Sequence, residues 1–143
     1  MDLFIQRSFM NLHSYMDFVH SWDLAFRQLD RGDFKGSLMQ YGNGDLQVGI
    51  TTINRKFDQR GSAPEKLITF CMLNPESPPI TWRGVEVDHQ KVMIYSAGDE
   101  IDCASEPGFS VTGLSISESL LSKCGRDMGM HRPVETLTRN KVI

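Results

Sequence analysis

A chain of 143 residues, 40% of them apolar, is the length of one domain and long enough to bury about two-thirds of its unfolded surface, so its core needs neither disulfides nor a metal. Its 15 Lys and Arg are interspersed among 18 Asp and Glu, for a net charge of -3, which leaves no clustered basic face for nucleic acid. Cys71, Cys103 and Cys124 are widely spaced and form no C-x-x-C pair, which excludes a zinc ribbon and a disulfide framework; with no leader pattern at the start and no apolar run near ~20 residues, the cytoplasm is the expected setting.

Residues 1–13 are mixed and poorly patterned, and are expected to be partly extended or disordered unless they dock on a neighbour. Beyond them two periods overlap. Tyr15, Phe18, Val19, Trp22, Phe26 and Leu29 fall at helical spacing behind Ser14 as a cap, whereas Leu24, Phe26 and Gln28 alternate as a strand does. After the turn Arg31-Gly32-Asp33, residues 34–41 and 46–54 read as a hairpin joined by Gly42-Asn43-Gly44-Asp45. In its second strand Leu46, Val48 and Ile50 alternate with Gln47, Gly49 and Thr51, so one face is apolar and the other small or polar. Phe57 prolongs that region until Gln59 to Pro64, whose Gly and Pro are expected to end it.

Residues 67–73, apolar except for Thr69, imply a strand covered on both faces. Asn74-Pro75 and Pro78-Pro79 make a rigid loop, because proline cannot donate to a ladder. Short runs at 80–82, 85–87, 92–95, 100–104 and 109–116 follow, separated by Arg83-Gly84, Gly98 and Pro107-Gly108, the last fitting a type II turn. Eight or nine short strands with this punctuation describe a closed or double-sheet β domain. Ser117 then opens a helix with Glu118 in its first turn and Leu120, Leu121, Cys124 and Met128 on one stripe, stopping near Gly125 or Gly129. Past Met130 the chain is polar, and residues 131–143 read as a linker or frayed tail.

Trp82-x-Gly84, the Gly98 to Asp102 turn with Ser105, Pro107-Gly108-Phe109 and Leu114-Ser115 resemble the amino-terminal sensor domain of AraC-type transcription regulators. So do Arg27-Gln28-Leu29, Gly32, Phe34 and Phe57-Asp58-Gln59-Arg60-Gly61, and the likeness spans roughly residues 22–121, although Ser96-Ala97 stands where that pattern has proline and glycine. The resemblance implies a mainly β, cupin-like antiparallel barrel or jelly roll, with a short helix near 16–21, a strand near 23–29 and a C-terminal helix. Residues 1–13 would then be an N-terminal segment, 14–130 the sensor domain and 131–143 a linker or tail. It further implies an effector-sensing and dimerisation domain: a homodimer that binds a small-molecule effector and meets DNA only through a helix-turn-helix domain absent from this chain. A metal-independent cupin-like enzyme and a β module that mediates only protein contacts are the alternatives.

The four histidines, His13, His20, His89 and His131, form no His-x-His pair, so no metal site is expected, and the chain is read as neither an enzyme nor a cofactor carrier. The cysteines sit in apolar runs as inert core thiols, and there is no G-x-S-x-G elbow. Asp99, Glu100 and Asp102 are the one dense acidic cluster, read as a solvated turn in which Asp102 bonds turn amides. Trp82 and Tyr95, amphipathic aromatics on strands, are the candidate pocket residues, with Phe70, Met72 and Met93 beside them. Leu120, Leu121, Cys124 and Met128 are the candidate dimer contact, with packing on their own barrel as the alternative.

Overall fold

The computed structural model describes residues 2–19 and 22–143. Its architecture is mainly β, two antiparallel sheets with three short helices. Numbering strands along the chain, the first sheet has the order β1 (Leu3–Phe9), β3 (Gly36–Gly42), β4 (Leu46–Ile53), β11 (Phe109–Ser117), β6 (Leu67–Leu73) and β9 (Val92–Tyr95). The second has the order β2 (Asp23–Gln28), β5 (Phe57–Ser62), β10 (Glu100–Ser105), β7 (Ile80–Trp82) and β8 (Val85–Val87). Their facing sides share one core that includes Ile53, Phe57, Leu73, Ile80, Trp82 and Phe109. Among the described residues no ladder joins the two sheets, so the expected barrel closure is not formed.

Several turns follow from their residues. Arg83 and Gly84 both take left-handed backbone, φ 50° and 76°, which gives the β7–β8 hairpin the primed turn that matches strand twist. Between Ser96 and Asp99, Gly98 at φ 73° closes a turn in which the Asp99 amide donates to the Ser96 carbonyl, so this turn forms without a proline. The β3–β4 loop is held by the Asn43 side chain, which accepts from the amides of Asp45 and Leu46.

Four expectations are corrected. The N-terminal segment is a full strand: β1 pairs with β3 from Leu3 to Phe9, and its one inward charge, Arg7, lies over the Phe18 ring at 4.3 Å. The first helix, α1 (Leu12–Met16), comes earlier than 16–21, because Asn11 rather than Ser14 is its cap, accepting from the Ser14 amide at 2.8 Å. His20 and Ser21, where the expected helix ended, lie outside the described residues. β5 continues through Gly61, whose glycine is needed for close approach and does not end the strand: a Cβ there would stand 1.8 Å from the Asp23 carbonyl of β2.

The fourth correction is the polar C-terminus. After α2 (Glu118–Asp127), residues 133–138 form α3 (Pro133–Thr138), which contributes Val134 and Leu137 to a small outer cluster with Ile68, Ile116 and Leu121. The last residues then pair with β9: Val92 and Ile143 exchange backbone bonds at 2.7 and 3.0 Å, and the Ile94 amide donates to Lys141. Polar composition suggested a tail, but backbone pairing to a sheet edge requires no apolar pattern.

Candidate functional site

In a two-sheet β fold the inner faces normally carry the apolar residues. Here the middle of three adjacent strands of the first sheet breaks that pattern, with small and polar residues inward between Leu38, Ile53, Phe109 and Val111. Register places Gln40, Gly49, Gly113, Cys71 and Met93 in one inward row across β3, β4, β11, β6 and β9. The next inward row is Gln47, Ser115, Thr69 and Tyr95. Two facing glycines at the middle of the sheet leave its floor without side chains. The second sheet answers with Leu24, Phe26, Gln59, Ile80, Ile101 and Cys103, while Tyr15, Val19 and Trp22 close one side. The result is a cavity of about 150 Å³ between the sheets.

The polar groups around it are mostly spent on each other. Thr69 Oγ1 and Ser115 Oγ bond at 2.8 Å, Gln40 Nε2 donates to Gln47 Oε1 at 3.2 Å, and Trp82 Nε1 donates to Tyr95 Oη at 2.5 Å. Tyr95 is held edge-on by both tryptophans, its ring centroid 5.5 Å from each. Among the lining side chains Gln59, only 9% exposed, carries the buried polar atom with no hydrogen bond at all among the described residues, its Nε2; Tyr95 Oη accepts from Trp82 and keeps its own O–H to donate. β5 is paired on both sides, with Gln59 between Phe26 of β2 and Cys103 of β10, so the sheet fixes the cavity face from which that side chain leaves.

Burial keeps the cavity neutral. It pushes the Cys71 and Cys103 thiols up to about 12, and the Tyr15 phenol to about 12 despite a hydrogen bond to Thr51. Tyr95 is raised further by burial, which the bond from Trp82 and the Arg83 charge offset only in part. At neutral pH these groups stay protonated and offer no thiolate or phenolate nucleophile.

The structure separates the expected pocket residues. Met93 and Tyr95 line the cavity, and Trp82, 2% exposed, stands behind Tyr95. Phe70 and Met72 do not reach it. In β6 the inward positions are Thr69, Cys71 and Leu73, so the alternate residues point outward: Phe70 packs toward α2 and α3, and Met72 is 47% exposed. The α2 stripe is divided as well. Leu120 and Leu121 pack on the chain's own sheet, whereas Cys124 and Met128 are exposed, Met128 by 81%. Asp99, not Asp102, holds the acidic turn: its carboxylate accepts from the Ser96 amide at 2.7 Å and from Lys141 Nζ at 2.6 Å. Sequence reasoning missed Gln59, Trp22 and the glycine pair Gly49 and Gly113, although the alternation in β4 carried the signal.

The apolar side of that alternation faces outward. Met39, Tyr41, Leu46, Val48, Met72 and Leu114 are exposed on the outer face of the first sheet, and no charged residue interrupts the rows Phe4-Tyr41-Val48-Leu114-Phe70 and Gln6-Met39-Ile50-Thr112-Met72.

No family model matches the chain, and no curated protein matches it in sequence. Among solved structures it is similar to the AraC-like transcriptional activator CuxR, with a TM-score of 0.61 and 13% identity, over 87% of this chain and 52% of that one. A looser likeness is to vicilin from Corylus avellana, hazelnut, with a TM-score of 0.38 and 7% identity, over 95% of this chain and 48% of that one. The chain thus spans about half the length of these proteins, and the likeness to the activator is one of fold.

Proposed function

We propose that the chain is the effector-sensing and pairing domain of an AraC-type regulator, acting in the cytoplasm on a small molecule held between its two sheets and performing no catalysis. The observation that carries this reading is the cavity itself: glycines, glutamines and hydroxyls point into a space, otherwise walled by apolar side chains, that a fold built only for stability would fill. Support from the fold comes from the AraC-like activator, which shares the two-sheet scaffold. DNA contact belongs to a helix-turn-helix domain outside this chain. A ligand can act on such a regulator only by binding one disposition of its domains better than another; a hundredfold difference is about 2.7 kcal/mol.

Pairing is assigned to the outer face of the first sheet, with a second copy of this chain as its occupant. Two side-chain rows roughly 7 Å deep across strands about 4.8 Å apart, with Phe70 of the fifth strand already packed toward α2 and α3, cover about 300 Å² of each copy, well below the roughly 800 Å² per partner of a standard interface, so the pair is weak and transient. Being free of charge, this face meets itself without repulsion. Two measurements test the reading. A thermal-shift screen of small metabolites on the intact chain should find compounds whose stabilisation grows with concentration as native-state binding requires, and a screen without one refutes sensing. Sedimentation should show a weak dimer that Leu114→Glu abolishes; a monomer across micromolar concentrations refutes pairing.

A further inference from the structure

Resting on the sensing reading above, we infer the chemical class of the effector: a small uncharged molecule with an apolar body about the size of one six-membered ring, and a hydrogen-bond acceptor that meets Gln59 Nε2. Three features of the cavity select it. Its volume of about 150 Å³ is that of a core cavity that admits benzene, and well below the pocket of a drug-sized ligand. No charged side chain lines it among the described residues, and its thiols and phenols are neutral, so an ion entering would lose its hydration and find no countercharge.

The third feature is the count of free polar groups. The Thr69–Ser115 and Gln40–Gln47 pairs already bond one another, and Tyr95 Oη already accepts from Trp82, so a polyol would have to compete with these bonds at several places to gain its own. Gln59 Nε2 is the donor already buried and unpartnered, and an acceptor placed on it gains a bond without breaking one. The apolar body would rest against Trp22, Phe26 and Phe109. A buried donor left without a partner discriminates strongly against a ligand that lacks the matching group, by roughly tenfold to a hundredfold.

The test uses the intact chain labelled with ¹⁵N, titrated with acetophenone, with ethylbenzene as its analogue lacking the acceptor, with benzoate and with erythritol. Acetophenone is expected to move the Gln59 side-chain amide signals and those of Gly49 and Gly113, ethylbenzene to bind about tenfold or more weakly, and benzoate and erythritol to leave these signals in place. In Gln59→Leu the two ring compounds should bind alike, and the wild-type comparison stands on its own should that variant fail to fold. Equal affinity of the two ring compounds for wild type overturns the role of Gln59. Preferential binding of benzoate or erythritol at these residues overturns the ligand class but leaves the sensing reading intact. No movement of cavity signals in any arm overturns both.

Discussion

Replacing Gly49 by valine should make the protein more stable while destroying its binding site. Gly49 lies at the middle of β4 on the cavity face, its backbone is outside the left-handed region, and a Cβ built there meets nothing nearer than the Met39 carbonyl at 3.9 Å. A glycine inside a strand costs about 0.5–1 kcal/mol in backbone entropy. Three added carbons, half-buried at about 0.8 kcal/mol for each fully buried methylene, contribute on the order of 1 kcal/mol more. Together these raise stability by about 1–2 kcal/mol, which urea denaturation reads as a higher midpoint at unchanged slope. The isopropyl group would stand on the cavity floor beside Gly113 and block the ligand. A lower midpoint would refute the reasoning, since it would mean that the inward face of β4 is already filled.

Trp82→Ala should cost roughly 3–5 kcal/mol, because a ring 2% exposed is removed and Tyr95 loses its donor; a wild-type denaturation midpoint would contradict this. Ser105→Ala should be neutral or stabilising by up to about 1–2 kcal/mol, since the fully buried Ser105 hydroxyl has no partner among the described residues, and a clear destabilisation would show that it has one. Burial alone would raise the Asp99 carboxyl, but the hydrogen bonds from Lys141 and the Ser96 amide and the charges of Lys141 and Arg83 outweigh it and hold the group below its ordinary 3.8. A folded pKa below the unfolded one means that this contribution is fully present above 3.8 and lost as pH falls through the lowered folded value. Denaturant midpoints measured across that range should fall less steeply for Lys141→Met than for wild type, and parallel curves would exclude the pair.

Local chemistry made most strands legible, and the misreadings have physical causes. The hairpin through Asn43, the turn at Pro107-Gly108 and the tight Arg83-Gly84 link rest on side chains and glycines that act within a few residues, which a sequence displays directly. β1 and the pairing of Val142 with Met93 depend on partners far away in the chain, and their own composition does not announce them. Gly61 looked like a terminator because a glycine reads alike whether it frees the chain to turn or lets another backbone approach.

The pocket was legible only in part, because period two tells which residues share a face but not which face is inside. An apolar face is by default assigned to the core; in β4 the default fails, with Val48 outward and Gly49 inward. The same ambiguity displaced Phe70 and Met72 from the cavity, while Tyr95 and Met93 share the inward face with Cys71 and Thr69. Gln59 is recognisable only once both sheets are in place, since nothing in Phe57-Asp58-Gln59-Arg60-Gly61 says that its amide is buried without a partner.

A crystal structure of the chain with a compound that raises its melting temperature would place the bound effector. The compound should lie between the two sheets, over Gly49 and Gly113, beside Trp22, with an acceptor atom within hydrogen-bond distance of Gln59 Nε2. A compound bound instead on the outer face of the first sheet or against α2 and α3, with the space between the sheets unchanged, would contradict this.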